Sequence, residues 1–172
     1  MDPKSIINWF NLQENTAEGG YSVSTYTAKE TISSKELPGF KAIEQNRHIC
    51  GAIYYFLDQG TFSAMHRVTG DMIYHFYSGD PIQMLLLYPE GSSTRSELCI
   101  FSNDIAGGGN PMKVIPGGTW MGSRLVAGGS YALMGVTMSP AFDPADYFIA
   151  KRKDLISQYP EQETLITALT RS

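Results

Sequence analysis

At 172 residues the chain is long enough for one domain with a sizeable core, residues 1–172 forming a single unit. Its 42% hydrophobic and 17% charged content describes a soluble globular protein, neither disordered nor fibrous. A formal charge of −4, without a clustered excess of Lys and Arg, excludes the phosphate-neutralising surface of a nucleic-acid binder.

The opening Met1-Asp2-Pro3-Lys4 lacks the basic-then-apolar plan of a signal peptide. Apolar runs such as Met84-Leu85-Leu86-Leu87-Tyr88 are too short to cross a bilayer. The expectation is a cytoplasmic protein with no membrane partner, in which Cys50 and Cys99 stay reduced. Ser5 reads as an N-cap, and Ile6, Ile7 and Phe10 fall on one face of a short amphipathic helix. Glu18-Gly19-Gly20 breaks that helix, and the alternating, β-prone segment 21–27 follows.

From residue 50 to residue 138 short strands alternate with turns. Strands are expected at 50–57, 61–68, 72–78, 82–88, 97–101, 112–115, 119–126 and 130–138. The separators, among them Gly79-Asp80-Pro81, Pro89-Glu90-Gly91 and Pro116-Gly117-Gly118, carry glycine for positive φ or proline for a fixed φ. This spacing points to an all-β sandwich or barrel, with a jelly roll as one way of protecting its edges. After Pro140 the period changes. Asp143-Pro144 suits a helix start, so a helix is expected over 144–158, and a second over 161–170.

Two of the three histidines, His66 and His75, lie in the stretch 62–81, which reads as a hairpin turning at Thr69-Gly70. Strand alternation puts Ala64, His66 and Val68 on one face. Met72, Tyr74 and Phe76 join that face across the turn, while His75 and Tyr77 point the other way. A β-bulge at Thr69-Gly70 would reset this register. His48 reads as a surface residue. Gly107-Gly108-Gly109 is not a phosphate loop, since no Gly-Lys-Ser/Thr follows it. Ser63 lacks the nucleophile-elbow pattern of a serine hydrolase.

Several motifs occur in a diagnostic order: Glu18-Gly19-Gly20-Tyr21, Ala52-Ile53-Tyr54-Tyr55-Phe56-Leu57, Phe62 to Arg67, Asp71 to Pro81, Val114 to Trp120, and Ser139 to Asp143. In this order the chain resembles a small cupin family that carries a domain-of-unknown-function label. The resemblance implies a cupin jelly-roll β-barrel (double-stranded β-helix) with flanking N- and C-terminal helices, one open mouth and pairing into a homodimer. In metal-binding cupins two signature regions supply histidines and a glutamate to one ion. Here only His66 matches in kind, with Val68, Met72 and Met121 at or beside the other positions. The family's frequent Asp-Glu-Ile-Trp-His run is Asp71-Met72-Ile73-Tyr74-His75 in this chain.

The resulting expectation is a small organic molecule bound in an aromatic- and methionine-lined barrel, with no cofactor and no metal ligands. An imidazole titrating near neutrality suits His66 as acid/base, assisted by Tyr74, Tyr54 or Asp71. Glu18, Tyr54, Ser63, Arg67, Met72, His75, Trp120 and Met121 are the ligand-binding candidates. Arg67 and Asp71 could pair across the turn and orient His66, or remain a solvated pair of charges. A first-row metal needs three or more converging donors, which His66 with methionine thioethers does not offer. Isomerisation, epimerisation or dehydration is the enzyme reading. A non-catalytic binding protein is the alternative, with a metal-dependent oxygenase or isomerase as the third.

Overall fold

The computed structural model describes residues 2–41 and 46–171. Its first helix, α1 (Pro3–Trp9), is capped by Asp2 rather than by Ser5: the Asp2 carboxylate accepts the Ser5 N–H (3.2 Å), and Pro3 fits the first turn. Thirteen strands follow among the described residues: β1 (Gln13–Glu14), β2 (Tyr21–Thr27), β3 (Thr31–Ile32), β4 (Arg47–His48), β5 (Gly51–Asp58), β6 (Ser63–Val68), β7 (Asp71–Gly79), β8 (Ile82–Leu87), β9 (Ser96–Phe101), β10 (Met112–Ile115), β11 (Trp120–Leu125), β12 (Tyr131–Ser139) and β13 (Tyr147–Ile149). Helices α2 (Arg152–Gln158) and α3 (Glu163–Ala168) close the chain.

The strands make two antiparallel sheets, ordered β1-β2-β5-β12-β7-β10 and β13-β6-β11-β8-β9, and β3 pairs separately with β4. This is the all-β jelly roll expected from the sequence. Its interior is filled by the inward residues of both sheets, among them Leu57, Phe76, Met84, Leu86, Phe101, Ile115 and Met134. The outer faces are covered too. Ile6 and Leu12 pack with Phe56 and Leu133 on the first sheet, while Leu155, Ile166 and Leu169 pack with Met65, Leu85 and Leu87 on the second. Burial on both faces explains the nearly unbroken apolar run of β8.

Two further expectations are corrected. The stretch 62–81 is not a hairpin: β6 and β7 belong to different sheets, and Thr69-Gly70 carries the chain from one to the other. Gly117 makes this corner possible, because a Cβ there would stand 2.1 Å from the Thr69 carbonyl oxygen. The inward set nevertheless survives, since His66, Val68, Met72, Tyr74 and Phe76 are all buried.

The helix expected over 144–158 is divided. Asp143 caps only a single 3-10 turn, Pro144–Asp146, by accepting the Ala145 N–H (2.8 Å). Tyr147-Phe148-Ile149 then pairs with β6 (Tyr147 with Val68, Ile149 with His66) before α2 begins. The aromatic and β-branched side chains of this triplet suit a sheet edge better than a helix interior. The second expected helix is α3, preceded by a 3-10 turn over Pro160–Gln162.

Candidate active site

The turn at Glu18 is built by backbone geometry. Gly19 and Gly20 take φ of 110° and 69°, and a Cβ on Gly19 would lie 2.1 Å from the Phe62 carbonyl oxygen. Only glycine tolerates both the left-handed conformation and this approach. The turn is fastened on each side: Asn15 Oδ1 accepts the Glu18 N–H (3.1 Å), and the Ala64 N–H donates to the Glu18 carbonyl (2.8 Å). The Glu18 side chain is thereby carried into the barrel, where it is buried.

Four side chains from three segments meet there, Ser63 and His66 both belonging to β6. Ser63 on β6 donates to Glu18 Oε1 (2.7 Å), and the Tyr147 hydroxyl on β13 donates to Oε2 (3.4 Å). His66 Nε2 stands 3.7 Å from the same Oε2. The other ring nitrogen, Nδ1, lies 2.8 Å from the Ala64 carbonyl oxygen. A carbonyl only accepts, so Nδ1 carries the proton and Nε2 is left to exchange one with whatever occupies the cavity. The His66 ring also lies against Tyr147, with centroids 5.5 Å apart.

Glu18, His66 and Tyr147 form part of the wall of a cavity of about 640 Å³. Ile53, Val68, Met72, Val136 and Met138 supply apolar wall, Tyr55 and Tyr74 phenol rings, and Ser22, Ser24 and Asn15 polar atoms. The Tyr55 hydroxyl donates to the Gly19 carbonyl (2.8 Å), and the Tyr74 hydroxyl points at Met121 Sδ (3.7 Å). Burial first, and the Glu18 charge second, push the phenols of Tyr55, Tyr74 and Tyr147 well above the ordinary tyrosine range. At neutral pH all three are therefore donors rather than bases.

The candidates from the sequence separate into two groups. Glu18, His66, Met72 and Tyr74 line the cavity, with Ser63 and Met121 directly behind the wall. The rest lie elsewhere. Tyr54 faces outward beneath the first helix, edge-on to Phe10 at 4.9 Å, so β5 contributes Tyr55 instead. Arg67 and Trp120 stack on each other outside the barrel (4.8 Å), in a groove of about 210 Å³ that also holds Phe148. His75, opposite in parity to Tyr74, is absent from the cavity lining. Asp71 does not orient His66. It is exposed, and its Oδ1 accepts the Gly117 N–H (2.8 Å), fixing the Pro116-Gly117-Gly118 turn.

Sequence reasoning missed Tyr55, Tyr147, Asn15 and Phe142. His48 is exposed as expected, yet it also lines the cavity. The β-prone triplet 147–149 was the available signal for Tyr147.

The side chains around His66 bear on whether the cavity could hold a metal ion. Val68, Met72 and Met121 face the interior beside His66 and carry no ionisable donor. Among the described residues no three His, Cys, Asp or Glu side chains converge. Glu18 and His66 alone fall short of the three protein donors usual at catalytic first-row metal sites, so these residues do not fit such an ion.

The family model described as Cupin superfamily (DUF985) matches residues 4–150. A protein from Shewanella oneidensis is similar in structure, with a TM-score of 0.83, 24% identity, and coverage of 99% of this chain and 98% of that one. A hypothetical protein from Leishmania major gives a TM-score of 0.87 at 22% identity, over the full length of both chains. Oxalate decarboxylase from Bacillus subtilis shares the fold more distantly, with a TM-score of 0.52 and 12% identity over 93% of this chain and 37% of that one. No curated protein matches the sequence. No helix among the described residues is long and apolar enough to cross a membrane.

Proposed function

The chain belongs to the cupin family DUF985, and from that premise we propose that its barrel binds a small organic molecule and moves a proton on it. The observation that carries this reading is the convergence of Glu18, His66 and Tyr147 on one cavity wall, with His66 Nε2 and Glu18 Oε2 only 3.7 Å apart. His66 acts as acid/base through Nε2, Glu18 stabilises the imidazolium formed when Nε2 takes a proton, and the neutral Tyr147 hydroxyl donates to developing negative charge. The reaction class is isomerisation or epimerisation, in which a proton is removed from carbon and returned to carbon, or dehydration, in which a proton is removed from carbon and another is delivered to the departing hydroxyl so that water leaves, all without net redox change. Tyr74 completes the donor side, and Met72 shapes the apolar wall.

The test is recovery of a bound metabolite by native mass spectrometry, followed by incubation of that compound with the protein in D2O. Solvent deuterium incorporated by the wild type and lost in His66→Gln supports proton transfer. Unchanged isotopic composition with the wild type would sink it.

A second reading, a binding protein without turnover, is favoured by Val68, Met72 and Met121, which make the barrel around His66 apolar. Under it, His66→Gln weakens binding and no compound is converted. Either reading goes with a cytoplasmic homodimer. The exposed Leu98, Ile100, Met112 and Val114 on the adjoining β9 and β10 offer a face for it, and sedimentation would measure the assembly.

A further inference from the structure

Resting on the reading of the barrel as a small-molecule site, we propose that the cavity selects a protonated amine carried on a compact apolar body, rather than a carboxylate or a phosphate. Glu18 Oε1 is already occupied by the Ser63 hydroxyl (2.7 Å), whereas Oε2 receives only the long bond from Tyr147 (3.4 Å). Opposite Oε2 stands His66 Nε2, 3.7 Å away, beyond a direct hydrogen bond. Because Nδ1 carries the proton of the neutral ring, Nε2 presents a lone pair.

Two acceptors at this separation are bridged by a group that donates two protons. An ammonium does so. A hydroxyl donates one proton, and an oxyanion donates none and meets the carboxylate charge.

The surroundings agree with this choice. Among the described residues lining the cavity there is no Lys or Arg to pair with an anion. The nearby guanidiniums are committed elsewhere: Arg171 donates to the Thr16 carbonyl behind the Glu18 turn, and Arg47 is held by Asp143 and Asp146. Ile53, Val68 and Val136 accept an apolar body but offer nothing to a second charged group.

Benzylamine, benzyl alcohol and benzoate have nearly the same shape and differ in the charge and donors of one group. Binding of each to the intact protein at neutral pH is read from the methyl resonances of Met72 and Met138, which line the cavity. The expected result is a dissociation constant for benzylamine about tenfold or more below those of the other two, an advantage lost in Glu18→Gln. Benzyl alcohol or benzoate binding as tightly as benzylamine to the wild-type protein would overturn the amine assignment and leave the cavity a ligand site. If none of the three moves either methyl resonance, both the assignment and the reading beneath it fail.

Discussion

His66 on β6 and Met121 on β11 are direct partners across an antiparallel ladder, and both side chains are buried in the barrel. Direct partners of this kind bring their Cβ atoms to about 5 Å. At the place nearest His66 on the neighbouring strand there is therefore a thioether, which faces the Tyr74 hydroxyl instead of supplying a second nitrogen. The polar partner of His66 comes instead from Glu18, in a turn outside the central sheets.

Replacing Glu18 by Gln removes a negative charge that helps to keep the neighbouring phenols protonated. The Tyr147 phenol should then ionise at lower pH while staying above the ordinary range, because burial is the larger cause of its shift. Ultraviolet pH titration of tyrosinate absorbance measures this. An unchanged titration would show that Glu18 does not act on these rings.

Tyr55 and Tyr74 are neutral and buried in the native state, with pKa values raised far above those of the unfolded chain. Their contribution to stability is therefore complete below the unfolded tyrosine pKa near 10 and is lost as pH rises beyond it, since the unfolded state then releases protons that the native state keeps. The unfolding free energy from urea curves should therefore fall as pH rises through and beyond the unfolded tyrosine range, the raised Tyr147 phenol adding a loss of the same sign.

Gly19→Ala forces a Cβ against the Phe62 carbonyl oxygen at a φ of 110°. A loss of about 3 kcal/mol is expected, corresponding to a fall in Tm of roughly 6–12 °C for a chain of this size. Tyr55→Phe is milder. It leaves the Gly19 carbonyl without its buried donor, and should cost about 1–3 kcal/mol in chemical denaturation.

Asp71→Asn separates the corner from the cavity. Weakening the bond to the Gly117 N–H should cost about 1 kcal/mol. Benzylamine binding by the folded variant should stay unchanged, whereas His66→Gln should weaken it.

Most of the barrel was legible because glycine and proline punctuate its strands, and β2, β5 through β12 and α3 fall close to where the sequence predicts them. Pairing was less accessible. Thr69-Gly70 reads as a hairpin turn, and only the approach of Gly117 from elsewhere in the chain makes it a corner between sheets. The choice between Tyr54 and Tyr55 was hidden for a different reason. Residues 53–57 are apolar at every position because the first helix covers one face of β5 and the barrel interior the other, so alternation leaves no mark. Asp143-Pro144 is a sound helix signal, yet the free edge of β6 captured the residues after it. Glu18 stood out through the family resemblance, since its burial depends on contacts with β6 and β13 that no local pattern encodes.

Arg171, in the last described turn, donates to the Thr16 carbonyl across 155 positions of sequence (2.6 Å), two residues before Glu18. The Leu169 carbonyl likewise receives the Met65 N–H (2.7 Å), one residue before His66. The C-terminal segment thus braces the backbone beside both Glu18 and His66 from behind. Loosening of that last turn would shift the backbone that carries Glu18 and His66, so the C-terminal segment works as a strut for a cavity whose lining it does not join.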